Sequence, residues 1–226
     1  MQPKLVICLI AVFLFLGCSL STEDSPITNQ QSDNTPVENK YYQLGNKLKE
    51  TFIPHNNSIY LATVNGEPIN LNEWNYMVYY MEGKKIQEEV FQDFVKLKTQ
   101  VAAAKIKGLT PSSEDISQIM NNTLASLADK ESSLSMLLQG AELTGDEYCE
   151  IMKPQWMDKL AASNWQIYAN DYLNSNEEMD LGGMDQADFS KAFDSMAIEE
   201  FGDLEVIITE DGIQAGMNNS WINNVH

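Results

Sequence analysis

The sequence predicts a mainly α-helical domain with one small β-hairpin, behind an N-terminal export signal and a polar tether. Three observations lead there. Apolar residues recur at spacings of three and four through most of residues 71 to 176, the period of a half-buried helix. A single short β-branched run, Ile59 to Val64, stops at Asn65-Gly66, a strong hairpin-turn signal. Leu5 to Leu16 is an unbroken apolar run behind Lys4. It is shorter than the ~20 residues a membrane-spanning helix needs, and it has the make-up of an export signal.

That apolar run exits through Phe15-Leu16-Gly17-Cys18. The exit resembles the lipobox of bacterial lipoproteins, with Phe15 where that motif usually has Leu. The resemblance implies that residues 1–17 are removed and that Cys18 carries lipid. One acyl chain holds a protein to a bilayer only marginally, whereas two or more anchor it stably. The expected location is the extracytoplasmic face of the bacterial cell membrane. Residues 18–40 are rich in Ser, Thr, Asn, Gln and Pro and poor in large apolar side chains. Such a segment buries too little surface to offset its ordering entropy. It reads as a tether whose coil spans roughly 25 Å.

The body begins with YYQLGNKLKETF, residues 41–52, a short leading helix. Ile59–Val64 forms the first strand, Asn65-Gly66 the turn, and Pro68-Ile69 a short return strand. Asn70 then caps a helix, with Glu73 in the capping-box position. Trp74, Met77, Val78 and Met81 share one face of it, and Tyr76, Tyr79 and Tyr80 point elsewhere. After Gly83, Lys84–Lys107 carries a buried stripe of Ile86, Val90, Phe94, Leu97, Val101 and Ala104. Gly108 ends it as a C-cap glycine does. Thr110-Pro111 reads as an N-cap followed by proline at the first helical position. The helix it opens carries Ile116, Ile119, Met120, Thr123, Leu124 and Leu127. A short apolar piece, Leu134–Leu138, follows. Thr144 to Glu147 is a second capping box, opening a long helix that carries Tyr148, Ile151, Met152, Trp156, Leu160 and Ile167. Pro154 inside it predicts a kink.

The ordered set ATVNGEPINLNEW, KIKGLTPSSEDI and GAELTGDEY resembles the N-terminal chaperone domain of the SurA and PrsA extracytoplasmic foldases, over about residues 58–176. The resemblance implies a SurA N-terminal-like helical domain at 41–176 that handles unfolded exported chains. Too few residues follow Asn176 for the parvulin domain that related foldases usually carry, so no prolyl-isomerase activity is expected. Residues 177–226 form an acidic C-terminal segment. Gln186–Phe201 reads as a helix with Phe189, Phe193, Met196 and Ala197 on one face. Leu204–Ile208 reads as a strand, followed by a turn at Glu210-Asp211-Gly212. In this family the downstream chain can return to complete the core, which implies pairing of Leu204–Ile208 with Ile59–Val64.

Charge and composition narrow the function. The chain has 14 basic and 33 acidic residues, a net charge of −19. Nucleic-acid binding needs basic patches, so nucleic acid is excluded as a partner. From Asp171 to Asp211 the acidic residues face only Lys191. Asp180, Asp185 and Asp188 lack the spacing of a calcium loop, so that acidity reads as a solvated surface. His55 and His226 stand in no metal-ligand spacing, and Cys149 is left alone once Cys8 and Cys18 are assigned. No nucleophile elbow, zinc spacing or phosphate loop is present. Neither enzymatic activity nor a cofactor is expected. Client contact needs adaptable apolar surface, and Met and Tyr supply it. Tyr76, Tyr79, Tyr80, Met120, Met152 and Trp156 are the candidate client-binding residues, against the alternative that the Met and Trp among them fill the core. The expected partners are unfolded or secreted polypeptides. The alternative is an adaptor or assembly factor for one folded envelope or spore-surface protein.

Overall fold

In a computed structural model, the described residues are 40–49, 51, 58–129, 132–175, 186–200 and 202–224. The signal at 1–17, the lipid site Cys18, nearly all of the tether, both histidines and the acidic stretch 176–185 lie outside them. The described elements belong to one unit running from Glu38. They are α1 (Lys40–Leu48), β1 (Tyr60–Val64), β2 (Glu67–Asn70), α2 (Leu71–Tyr80), α3 (Gln87–Ile106), α4 (Ser113–Ser126), α5 (Ser133–Ala141), α6 (Gly145–Ser175), α7 (Gln186–Glu199), β3 (Val206–Ile208), α8 (Glu210–Gln214) and a 3₁₀ turn at Asn219–Asn224. The chain is mainly helical with one three-stranded antiparallel sheet of order β2-β1-β3.

The hairpin forms as its turn residues dictate. Asn65 and Gly66 adopt φ of 48° and 80°, the left-handed pair that a tight two-residue hairpin requires. The third strand closes a long-range loop. Ala62, Thr63 and Val64 face Ile208, Ile207 and Val206, so the C-terminal segment does complete the sheet. Leu61, Ala62, Val64 and Ile69 are buried with Trp74, Val90, Phe91, Phe94 and Val95, and Met77, Val78 and Met81 pack on that cluster. Trp221 lies 5.7 Å from Phe91 and 6.4 Å from Trp74, ring to ring, so the last described turn also joins this core.

A second core lies farther along α3. Val101, Ala103 and Ala104 meet Ala161, Ala162, Trp165 and Ala169 of α6 and Ala197 of α7. Phe193 and Met196 pack against it as the periodicity predicts; the side chain of Phe189 lies outside the described residues. Small residues let three helices approach closely here. A third close approach joins α1 to α5. A Cβ on Gly45 would stand 2.2 Å from the Leu137 carbonyl oxygen, and one on Gly140 2.2 Å from that of Tyr42.

The structure corrects several sequence expectations. Ile86 is not in the α3 stripe. It is the N-cap, 65% exposed, and its amide donates to Glu89 at 2.9 Å. The helix after Gly108 starts at Ser113, not at Pro111. Ser112 and Asp115 bond each other's amides at 3.0 and 3.1 Å, and that reciprocal box satisfies two helix-end donors where Pro111 would satisfy none. Leu134–Leu138 lies inside a full helix capped by Ser132. Glu210-Asp211-Gly212 is the first turn of a short helix, capped by Thr209 through a 3.1 Å bond from the Gly212 amide.

Candidate functional site

The face of α2 that turns away from the sheet core carries Tyr76, Tyr79 and Tyr80. Tyr76 and Tyr80 are one helical turn apart, and their rings stack at 5.8 Å with an interplanar angle of 7°. The Tyr148 hydroxyl donates to that of Tyr76, and burial pushes both phenols above their ordinary range. Tyr148 in turn meets Trp156 edge-on at 6.3 Å. Lys84 sits 5.5 Å over the Tyr80 ring and Lys47 6.0 Å over that of Tyr79, within cation–π range. The three tyrosines are partly buried. Tyr79 meets α1 through Lys47.

The other candidates separate from them. Met152 and Trp156 are 4% and 6% exposed, so they are core residues on the inward face of α6 and present no surface to a client in this fold. Met120 is partly buried on α4, a different element. The six candidates therefore do not assemble into one open surface.

An open surface does occur where the C-terminal end of α3 passes α6. Leu109, Asn164, Ile167, Tyr168 and Asp171 line a depression of about 310 Å³. The Asn164 side-chain amide donates to the Leu109 carbonyl at 3.0 Å and pins the loop after α3 against α6. Tyr168 is held by Trp165, 5.6 Å away, and by Lys107, 5.9 Å from its ring. Lys107 also pairs with Glu200 at 2.7 Å, and that carboxylate holds its ammonium above the ordinary lysine value. Ile167 is 41% exposed and Tyr172 50%. In the sequence, Ile167 groups with Tyr148, Ile151, Met152, Trp156 and Leu160. It stands two residues beyond Trp165, ~200° around the helix, while Trp165 and the alanines make the contact with α3. Tyr172 went unremarked in the sequence, because one tyrosine late in a long helix carries no period.

Between the two cores lies a buried charge cluster that sequence reasoning also missed. Lys98, 1% exposed on α3, donates to both oxygens of Glu73 at 3.0 Å and to Asp158 of α6. Asn70 also donates to Glu73, from its side chain at 3.3 Å and its amide at 3.5 Å. Two carboxylates share the Lys98 ammonium, with Lys159 and Lys105 acting on them from farther off. Burial pushes Glu73 up to about 7 from 4.5, against the pull of Lys98. Asp158 is pushed up by burial as well, and the two carboxylates hold Lys98 charged above its ordinary value despite its burial. Farther along α3, Gln100 donates to Asp194 at 2.7 Å and accepts from Gln166 at 2.8 Å.

Among the described residues, no group of three His, Cys, Asp or Glu side chains is placed to hold a metal ion. Cys149 is fully buried, and burial raises its thiol above the ordinary value, which suits packing rather than nucleophilic attack. No helix among the described residues is long and apolar enough to cross a membrane. Comparison with protein-family models, with curated proteins and with solved structures returns no match.

Proposed function

We propose that the chain is a lipid-anchored, extracytoplasmic polypeptide-binding protein, a holdase of the SurA/PrsA N-terminal kind without prolyl-isomerase activity. The observation that carries this reading is the open depression at Leu109, Ile167 and Tyr168. It combines an apolar wall with a few polar groups on rigid helices, the make-up of a site that takes apolar side chains with little selectivity. Its volume is about 310 Å³, room for one or two side chains of a bound chain. Tyr172, at 50% exposure, lies one turn beyond Tyr168 and extends the surface along α6. The hairpin, the capped α2 and the long α6 support the resemblance to the foldase domain. Cys18 supplies the anchor in this reading.

The alternative, an adaptor for one folded partner, draws on a different feature. The large exposed apolar residues sit on separate elements, with Ile86 before α3, Met157 on α6 and Ile213 on α8. A dedicated interface can use such scattered anchors when a second folded surface matches them.

The purified protein should slow aggregation of a chemically unfolded secreted client, and Ile167→Asp should weaken that protection several-fold while leaving the melting transition in place. Full protection by Ile167→Asp would overturn the depression as the client site, and no protection by the parent chain would overturn the holdase reading. In cells, Cys18→Ala should move the protein from the membrane to the soluble fraction. Unchanged membrane retention would overturn the lipid anchor.

A further inference from the structure

β3 completes the sheet and also leaves one of its sides open. In the order β2-β1-β3 no strand among the described residues lies beyond β3. The flanking bonds decide which backbone groups face outward. The Asn65 amide donates to the Glu205 carbonyl at 2.8 Å, and the Thr209 amide to the Leu61 carbonyl at 3.0 Å. In the register of this ladder those are opposed pairs, and bonded pairs recur at every second residue. Ile207, opposite Thr63, is therefore the bonded residue between them. Val206 and Ile208 turn their N–H and C=O groups away from β1, toward the open edge. The Ile207 side chain stands 51% exposed on the outer face, in the same row as Thr63 and Pro68.

Charge narrows what can occupy this edge. Asp203 and Glu205 precede the strand, and Glu210 and Asp211 follow it, all four exposed. No basic residue follows Lys191 in the chain. A second copy pairing edge to edge would set these carboxylates against their own kind, and such charges are a familiar guard against self-pairing. The same four carboxylates favour a strand that brings positive charge at both ends.

We propose that the outer edge of β3 binds an extended polypeptide in which basic residues flank a β-branched run, added to the sheet as a fourth strand. Main-chain bonds at Val206 and Ile208 supply affinity that is indifferent to sequence, and the acidic flanks supply the preference. This rests on the reading that the chain binds polypeptide, and it assigns that binding a surface and a chemistry separate from the α3–α6 depression.

The test is fluorescence anisotropy on the full chain as its host processes it, with a labelled seven-residue peptide of alternating Val and Thr between terminal lysines. Binding should weaken at least about tenfold when glutamates replace the lysines or when salt screens the charges. It should vanish when alternate amides of the peptide are N-methylated. Val206→Pro removes one outward donor and none of the bonds to β1, and it should abolish binding. Should that variant lose its melting transition, Glu205→Lys with Glu210→Lys is the second test. This pair should reverse the preference toward the glutamate-flanked peptide. Equal binding of both peptides, binding of the N-methylated peptide, or a stable dimer of the chain would overturn the proposal. Peptide binding at β3 with unaltered client protection in Ile167→Asp would remove the depression and keep the edge; the converse would remove only the edge.

Discussion

Lys98 shows how a single side chain links three elements. Its ammonium joins α2 through Glu73 and α6 through Asp158 while it sits on α3. Removing it would strip two largely buried carboxylates of the ammonium that bonds them both, which costs about 3–5 kcal/mol, so Lys98→Met should lower the denaturation midpoint sharply. The burial of Glu73 sets a pH dependence. Below pH 4.5, Glu73 is protonated in folded and unfolded chains alike, and its burial carries no charge penalty. Between pH 4.5 and about 7 the unfolded chain releases the proton and the folded chain keeps it, so stability falls as pH rises. Above about 7 the loss is complete. Urea titrations across this window should show that Glu73→Gln removes a falling slope worth a few kcal/mol, at ~1.4 kcal/mol per unit. A slope identical in both proteins would contradict the assignment. Of this cluster the sequence disclosed only the Asn70–Glu73 capping box. Lys98 sits beside a readable stripe, and a lysine there ordinarily extends to water. Its partners are 25 residues before and 60 after it, and nothing local announces such pairings.

At the scale of elements, local chemistry was legible wherever one residue type answers one need. The turn at Asn65-Gly66, the caps at Asn70 and Thr144, and the left-handed Gly108, with φ of 69°, all lie where the sequence placed them. The β1–β3 pairing spans more than 140 residues and was reached through a resemblance, not from periodicity. What escaped was competition between neighbouring signals: Ser112 against Thr110, and the capping role of Ile86 against its apolar character. The α1–α5 contact also escaped, because glycines inside helices give no sign of what they approach. Gly45→Ala places a Cβ against the Leu137 carbonyl. Overpacking of this kind costs about 1–3 kcal/mol, and a lower melting temperature should report it. Deleting residues 203–226 removes β3, Met217 and Trp221 from the sheet core and should abolish the cooperative transition altogether. A truncated chain that melts as before would contradict the role given to the C-terminal segment.

At the scale of the whole molecule, a strongly acidic chain, tied by Cys18 in the proposed reading, presents apolar surface on α6 and, among the described residues, an unpaired strand edge at β3. Both features suit contact with unfolded chains in that reading. The chain's six sequence-nominated contacts were legible as residue types but not as positions. Met152 and Trp156 share a period with the core and belong to it, whereas Ile167 shares that period and faces water. Helical spacing identifies a stripe, and packing partners decide which end of it stays dry. The claim that the α6 surface meets exported polypeptides is tested most directly by photo-crosslinking in the native cell. The reactive residue replaces Ile167, the lipid anchor stays intact, and the products are read by mass spectrometry. The account predicts a broad smear of many exported proteins. A single dominant product would contradict it in favour of one dedicated partner, and absence of products, with efficient labelling from Ile86, would contradict polypeptide binding at this surface.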